Sequence, residues 1–192
     1  VDASRQPRGG PGRGPVPPAI AAVAGRSLTP EQRQFVDYGR AEGHPIIPVR
    51  GADLKARLHW NDKEVREVPL TYVGREQRIY LNTDSTFWRD PIGRSARFER
   101  LGWWSTGNAL GRADHEIGHA RHHAALGDAY FEPKYRGAFK GDTLKKIKAD
   151  VSGYAATRPV EFVAEVYSGL KAGKIYDAKI LSWYSRLGGV MP

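Results

Sequence analysis

His115 and His119 stand four residues apart, with Glu116 between them, in the run Ala113-Asp114-His115-Glu116-Ile117-Gly118-His119-Ala120. Four residues of α-helix turn through about 400°, so the two imidazoles lie one turn apart on one face and can reach the same ion. Glu116 is rotated by about 100° from His115, which sets its carboxylate beside a metal-bound water rather than in the ligand set. An HExxH helix of this kind predicts zinc-assisted hydrolysis, with His115 and His119 as ligands and Glu116 as general base. The sequence has no cysteine, which excludes a thiolate site and leaves histidine and carboxylate as the strong zinc ligands.

A tetrahedral site needs a third protein ligand. The HExxHxxGxxH pattern is excluded, because Ala125 and His122 stand where it requires histidine and glycine. His122 and His123 follow on the same helix, where a third imidazole is awkward for a tetrahedral ion, and are expected at the surface or the cleft rim. His44 and His59 are isolated and read as structural. Further on, Pro159-Val160-Glu161-Phe162-Val163-Ala164-Glu165-Val166-Tyr167 opens a helix with proline in its first turn and Thr157 as a candidate cap. Glu161 and Glu165 share one face of it. Without HExxH upstream they would read as a solvated acidic stripe. With it, the simplest account is that Glu161 completes the site and Glu165 lies behind it, accepting from a ligand imidazole.

Several elements must hold these residues. The HExxH helix is expected from about Asn108 to Leu126, with Thr106 or Asn108 as cap and Gly127 as terminator. Thr29-Pro30 opens an earlier helix that runs to about Ala41 and is ended by Gly43 and Pro45. Ile46 to Val49, interrupted by Pro48, predicts an edge strand. Glu67 to Val73 and Arg78 to Asn82 predict a hairpin around residues 74–77, whose second strand offers an edge for an extended substrate. Residues 84–107 interleave Phe87, Trp88, Phe98, Trp103 and Trp104 with arginines. Such a stretch can serve nucleic acid, but it leads into the metal helix and reads as a loop lining the cleft. Asp142 is expected to cap a short basic helix reaching Asp150. A last helix is expected over Tyr176 to Leu187, burying Ile180, Leu181, Trp183 and Tyr184.

The 192 residues, 40% hydrophobic and 27% charged, suffice for one core plus an arm. Residues 1–27 read as a flexible Pro/Gly/Arg-rich basic arm and 28–192 as the domain. A chain that starts at Val1 reads as a processed product or a piece of something longer. No apolar run approaches the roughly 20 residues of a membrane span. The formal charge of +9 implies attraction to polyanions, so the arm is a candidate contact for nucleic acid or a partner chain.

The run His115-Glu116-Ile117-Gly118-His119-Ala120, followed by Ser152-Gly153-Tyr154-Ala155-Ala156-Thr157-Arg158 and the helix from Pro159 to Tyr167, resembles the catalytic core of anthrax lethal factor. Related toxin and phage-associated metallopeptidases share that gluzincin-type pattern. The resemblance covers about 60 residues, two motifs in the same order and at similar separation. It implies Zn2+ held by His115, His119 and Glu161, with Glu116 as general base, Tyr154 as oxyanion stabiliser and Glu165 behind the ligands. The expected fold is α+β and zincin-like: a small twisted sheet over the HExxH helix, with a helical C-terminal half. The expected activity is hydrolysis of peptide bonds in a protein or peptide substrate, by a secreted or injected effector or a virion-associated protein. The alternative is a structural virion or assembly protein that keeps the fold and contacts nucleic acid or a partner through its arm.

Overall fold

A computed structural model describes residues 28–192, so the basic arm expected at 1–27 lies outside the described residues. The fold is α+β. The chain divides into two compact units, the first ending at Arg89 and the second running from Asp90 to Pro192.

In the first unit, helix α1 (Pro30–Ala41) begins where expected. Thr29 Oγ1 accepts from the Gln32 amide and Gln32 Oε1 accepts from the Thr29 amide, each at 3.2 Å, so two orphan donors are satisfied reciprocally. Strand β1 (Ile46–Val49) follows, then α2 (Gly51–Leu58), α3 (Asp62–Glu67), β2 (Leu70–Val73) and β3 (Arg78–Asn82). His59 closes α2 in the left-handed region at φ 55°. The predicted hairpin is present as the antiparallel pair β2–β3, although Glu67 belongs to α3 rather than to the strand.

The sheet order is β1-β3-β2, with β1 parallel to β3. Pro48 therefore sits on an edge strand, as its missing N–H requires. The expectation that Arg78 to Asn82 offers an edge to a substrate is overturned: β3 is central and bonded on both sides. Val49, Leu54, Trp60, Val68, Val73 and Tyr80 form the core of this unit. Asn82 ties the loops to it, its Nδ2 donating to the carbonyls of Val65 at 2.7 Å and Val68 at 2.9 Å.

The second unit is helical: α4 (Pro91–Arg100), α5 (Gly111–Leu126), α6 (Pro133–Arg136), α7 (Gly141–Asp150), α8 (Pro159–Lys171) and α9 (Ala178–Arg186). Helix α4 occupies the segment read as a loop, and Asp90 caps it by accepting from the Gly93 amide at 2.8 Å. Three expected caps fail, the first at α5, which starts at Gly111 after Leu110 with no side-chain cap from Thr106 or Asn108. Asp142 lies inside the first turn of α7, and Thr157 turns its hydroxyl to donate to the Tyr154 carbonyl at 2.7 Å. Helix α9 is shorter than expected; it buries Ile180 and Tyr184 but only half covers Leu181 and Trp183. No helix among the described residues is long and apolar enough to cross a membrane.

Helix α5 is buried from Gly111 to His119 and again at His122 and His123, and Gly127 ends it with φ 57°. The surface position expected for His122 and His123 is therefore wrong: they are 1% and 4% exposed. His122 Nε2 donates to the Leu187 carbonyl at 2.7 Å beyond α9, while the His123 ring stacks on Tyr130. Burial drives the His122 pKa down to about 4, aided by the charges of His119 and His123 and opposed by the bond to Leu187.

A depressed histidine is a stability term with a definite sign. Below pH about 6.5 the unfolded chain takes a proton that the folded protein refuses until about pH 4. Stability from this group is thus fully present above pH about 6.5 and is lost as pH falls towards 4, by about 3 kcal/mol. Urea unfolding of the metal-free protein across that range should show wild type losing about this much more than His122→Gln. Equal losses would show that the imidazole is not held neutral.

Candidate metal centre

The site is built where α5 and α8 pack together. Their approach is close because position 118 is glycine: a Cβ there would stand 3.1 Å from both Ala164 Cα and Tyr167 Cβ. His115 Nε2 then lies 3.1 Å from Glu161 Oε2, His119 Nε2 lies 3.2 Å from the same oxygen, and the two Nε2 atoms are 3.1 Å apart. Three donors held tetrahedrally about 2.05 Å from one ion would be spaced about 3.3 Å apart, so the triangle has nearly the size a zinc ion needs. All three residues are buried, at 1%, 7% and 1% exposure for His115, His119 and Glu161. Two imidazoles and a carboxylate converging out of water can hold a divalent metal.

The helix spacing gives a direct test. Gly118→Val would force α5 and α8 apart, which overpacking data place at about 1–3 kcal/mol of stability. Affinity for a divalent metal, with zinc as the probe, should fall at least about tenfold as Glu161 is drawn away, since imidazole and carboxylate distances vary little in such sites. Titration calorimetry would read the loss; unchanged affinity would show that the interhelix distance does not set the site.

Behind the triangle lies Glu165. Its Oε1 is 2.8 Å from His115 Nδ1, and its Oε2 accepts from the Ser105 amide at 2.6 Å and the Ser152 hydroxyl at 3.0 Å. A carboxylate at Nδ1 keeps a proton there, so that Nε2 is the nitrogen that would give up its proton and offer a lone pair to an ion. Ser105 Oγ also donates to the Glu165 carbonyl at 2.8 Å, and the Ala155 amide donates to Ser152 Oγ at 2.9 Å. One side chain thereby joins α5, α8, the stretch before α5 and the turn that carries Tyr154.

That turn is anchored further by two backbone bonds, Gly153 to the Gly102 carbonyl at 2.7 Å and Tyr154 to the Trp103 carbonyl at 3.0 Å. The Tyr154 ring stacks on His115 with centroids 5.4 Å apart, and Trp103 packs at 5.9 Å. Part of the 84–107 segment therefore does line the site, through Trp103 to Ser105. Phe87 and Trp88 instead pack with Phe35 in the first unit.

Three further residues enter that sequence reasoning does not single out. Arg112 is buried beneath Trp104, its guanidinium 4.6 Å from the ring centre, with Nη2 3.5 Å from Glu116 Oε1 and Nη1 3.6 Å from Glu165 Oε1. Its place one helical turn before Glu116 is a legible signal. Ser105 has none, because it meets Glu165 across 60 residues. Tyr130 has none either; its hydroxyl lies 3.1 Å from His119 Nδ1.

The electrostatics suit a cation. Burial works to raise the Glu161 carboxyl, but the charge of His119 and hydrogen bonds from both histidines outweigh it and hold the group well below the usual carboxylate range. Glu165 is likewise opposed by burial and lowered by His115, Arg112 and the Ser105 amide. Burial and the Arg112 charge press His115 downwards, yet its bonds to Glu161 and Glu165 prevail and lift it to about 9. Both carboxylates are thus kept anionic around the histidine pair.

The geometry defines a class of site: a buried group of two histidines from one helix and a glutamate from another, able to hold a metal and consistent with an HxxxH…E arrangement of zincin type. Compared with known protein families, with curated proteins and with solved structures, the chain matches none.

Proposed function

We propose that the protein is a zinc-dependent endopeptidase. The observation that supports this reading is the buried triangle of His115, His119 and Glu161 with a glutamate, Glu116, at the helical position next to the first ligand. A purely structural ion has no use for a general base. Held by His115, His119 and Glu161, zinc would supply Lewis acidity, making a neighbouring water easier to deprotonate and polarising the scissile carbonyl.

The chain's own residues do the rest. Glu116 takes the proton of the attacking water and returns it to the leaving amine. Arg112 keeps the Glu116 carboxylate oriented through the 3.5 Å contact. Tyr154, held against His115, donates a hydrogen bond from its phenol to the oxyanion that develops on the carbonyl. Glu165 fixes the tautomer and the ring plane of His115. The resemblance to toxin and phage-associated peptidases gives the biological setting of the same reading, an effector or virion-associated protease.

Elemental mass spectrometry of wild type and Glu161→Ala, beside cleavage of a mixed peptide library with and without chelator, tests the proposal. Zinc that is lost with Glu161, together with chelator-sensitive cleavage, is the expected result. Zinc without any cleavage would favour a structural centre, and wild type without zinc would overturn the reading.

A further inference from the structure

His122 and His123 continue the HExxH helix as a second, buried histidine pair that the proposed chemistry does not use. Both rings pack on one residue. His123 lies flat on Tyr130, centroids 4.7 Å apart at 18°, and His122 meets the same ring edge-on at 5.3 Å. Phe131 closes a further side at 5.4 Å, nearly perpendicular. His122 is itself pinned to the Leu187 carbonyl at 2.7 Å, which fixes its ring plane. Tyr130 is thus clamped by aromatic faces, and its hydroxyl points back along α5 to His119 Nδ1 at 3.1 Å.

We infer that Tyr130 is the positioning residue of the second metal-binding imidazole, and that His122 and His123 serve to hold it. The inference rests on the reading of His115, His119 and Glu161 as a metal site. For His119 Nε2 to offer a lone pair, the ring proton must reside on Nδ1, and the only use for that proton in a buried site is a hydrogen bond to an acceptor. The Tyr130 oxygen accepts it. His115 is held by an anionic carboxylate and His119 by a neutral phenol, so the two imidazoles differ in donor strength. The motif therefore extends beyond HExxH to a helix of two histidine pairs, the first facing the ion and the second facing the group that orients it.

Tyr130→Phe keeps the ring and removes the acceptor. Zinc affinity, read by competition with a chromophoric chelator, should fall about 10–100-fold, the usual cost of losing a partner behind a metal ligand. His123→Ala, which removes the stacking face, should produce a smaller loss in the same direction, and His123→Phe should restore it. In the zinc-loaded wild type, proton NMR should show a slowly exchanging, downfield His119 Nδ1–H that moves upfield in Tyr130→Phe. Loss of general packing would not move that signal alone, and it can be read in wild type even if a variant folds poorly. Wild-type affinity in Tyr130→Phe with an unmoved Nδ1–H would overturn the inference and leave the metal site standing. A wild type that binds no zinc, or a His119→Ala variant that binds it as tightly as wild type, would overturn both.

Discussion

Glu116→Gln is expected to lower peptide hydrolysis by about 10²–10⁴-fold, the range general-base removal typically produces, while zinc content stays at the wild-type level. The amide keeps the size and reach of the carboxylate and can still face Arg112, but it cannot take a proton from water. The contacts among the proposed ligand atoms of His115, His119 and Glu161 are made by those three side chains themselves. Steady-state kinetics on a cleavable peptide, with metal content measured on the same sample, separates the two quantities. Full activity in Glu116→Gln would sink the proposed mechanism. Joint loss of zinc and activity would assign Glu116 to the architecture of the site instead.

Glu165→Gln should show the largest effect on the fold. The carboxylate accepts from His115, the Ser105 amide and the Ser152 hydroxyl, and it lies 3.6 Å from buried Arg112. An amide in its place would turn an NH2 group towards donors on one side or the other. It would also remove one of the two carboxylates, Glu165 and Glu116, that Arg112 meets. Breaking a buried pair by removing one partner costs about 3–5 kcal/mol, and this group sits close to the low end because Gln retains one accepting oxygen. We expect about 3 kcal/mol lost in denaturant unfolding of the metal-free protein, with zinc affinity down about 10–100-fold through the freed His115 ring. A stability within about 0.5 kcal/mol of wild type would mean that Glu165 does not tie the four segments together.

What the sequence discloses of this site follows from local geometry. Two histidines four apart, and two glutamates four apart on a later helix, define their own faces whatever surrounds them, and α5 and α8 form where those patterns lie. The relation between the helices is legible only in part. Gly118 permits the contact, but nothing local shows that a Cβ there would meet Ala164. The parallel pairing of β1 with β3 is hidden for the same reason, since it joins residues more than thirty apart and depends on the chain returning to the far side of the hairpin.

The departures at His122, His123 and Thr157 have a common cause. Polarity alone places such residues in water or at the nearest helix end, whereas His122 and His123 meet aromatic rings from the turn after Gly127. Thr157 found the Tyr154 carbonyl before it could cap α8. Polarity predicts exposure only where no partner waits in the interior. Helix α4 is hard to read from the sequence because its buried positions are Pro91 and Ser95 and none of the large aromatics of the 84–107 stretch.

The separation of the proposed ligands along the chain bears on how the protein is made. Glu161 follows His119 by 42 residues, and the Leu187 carbonyl that pins His122 follows that histidine by 65. At synthesis rates of about 5–20 residues per second, the histidine helix emerges roughly 2–8 s before its carboxylate partner exists. Until α8 is complete and docked, the nascent chain carries the motif without the centre. The chemistry proposed for the centre would thereby be withheld from the half-made protein and from the ribosome that bears it.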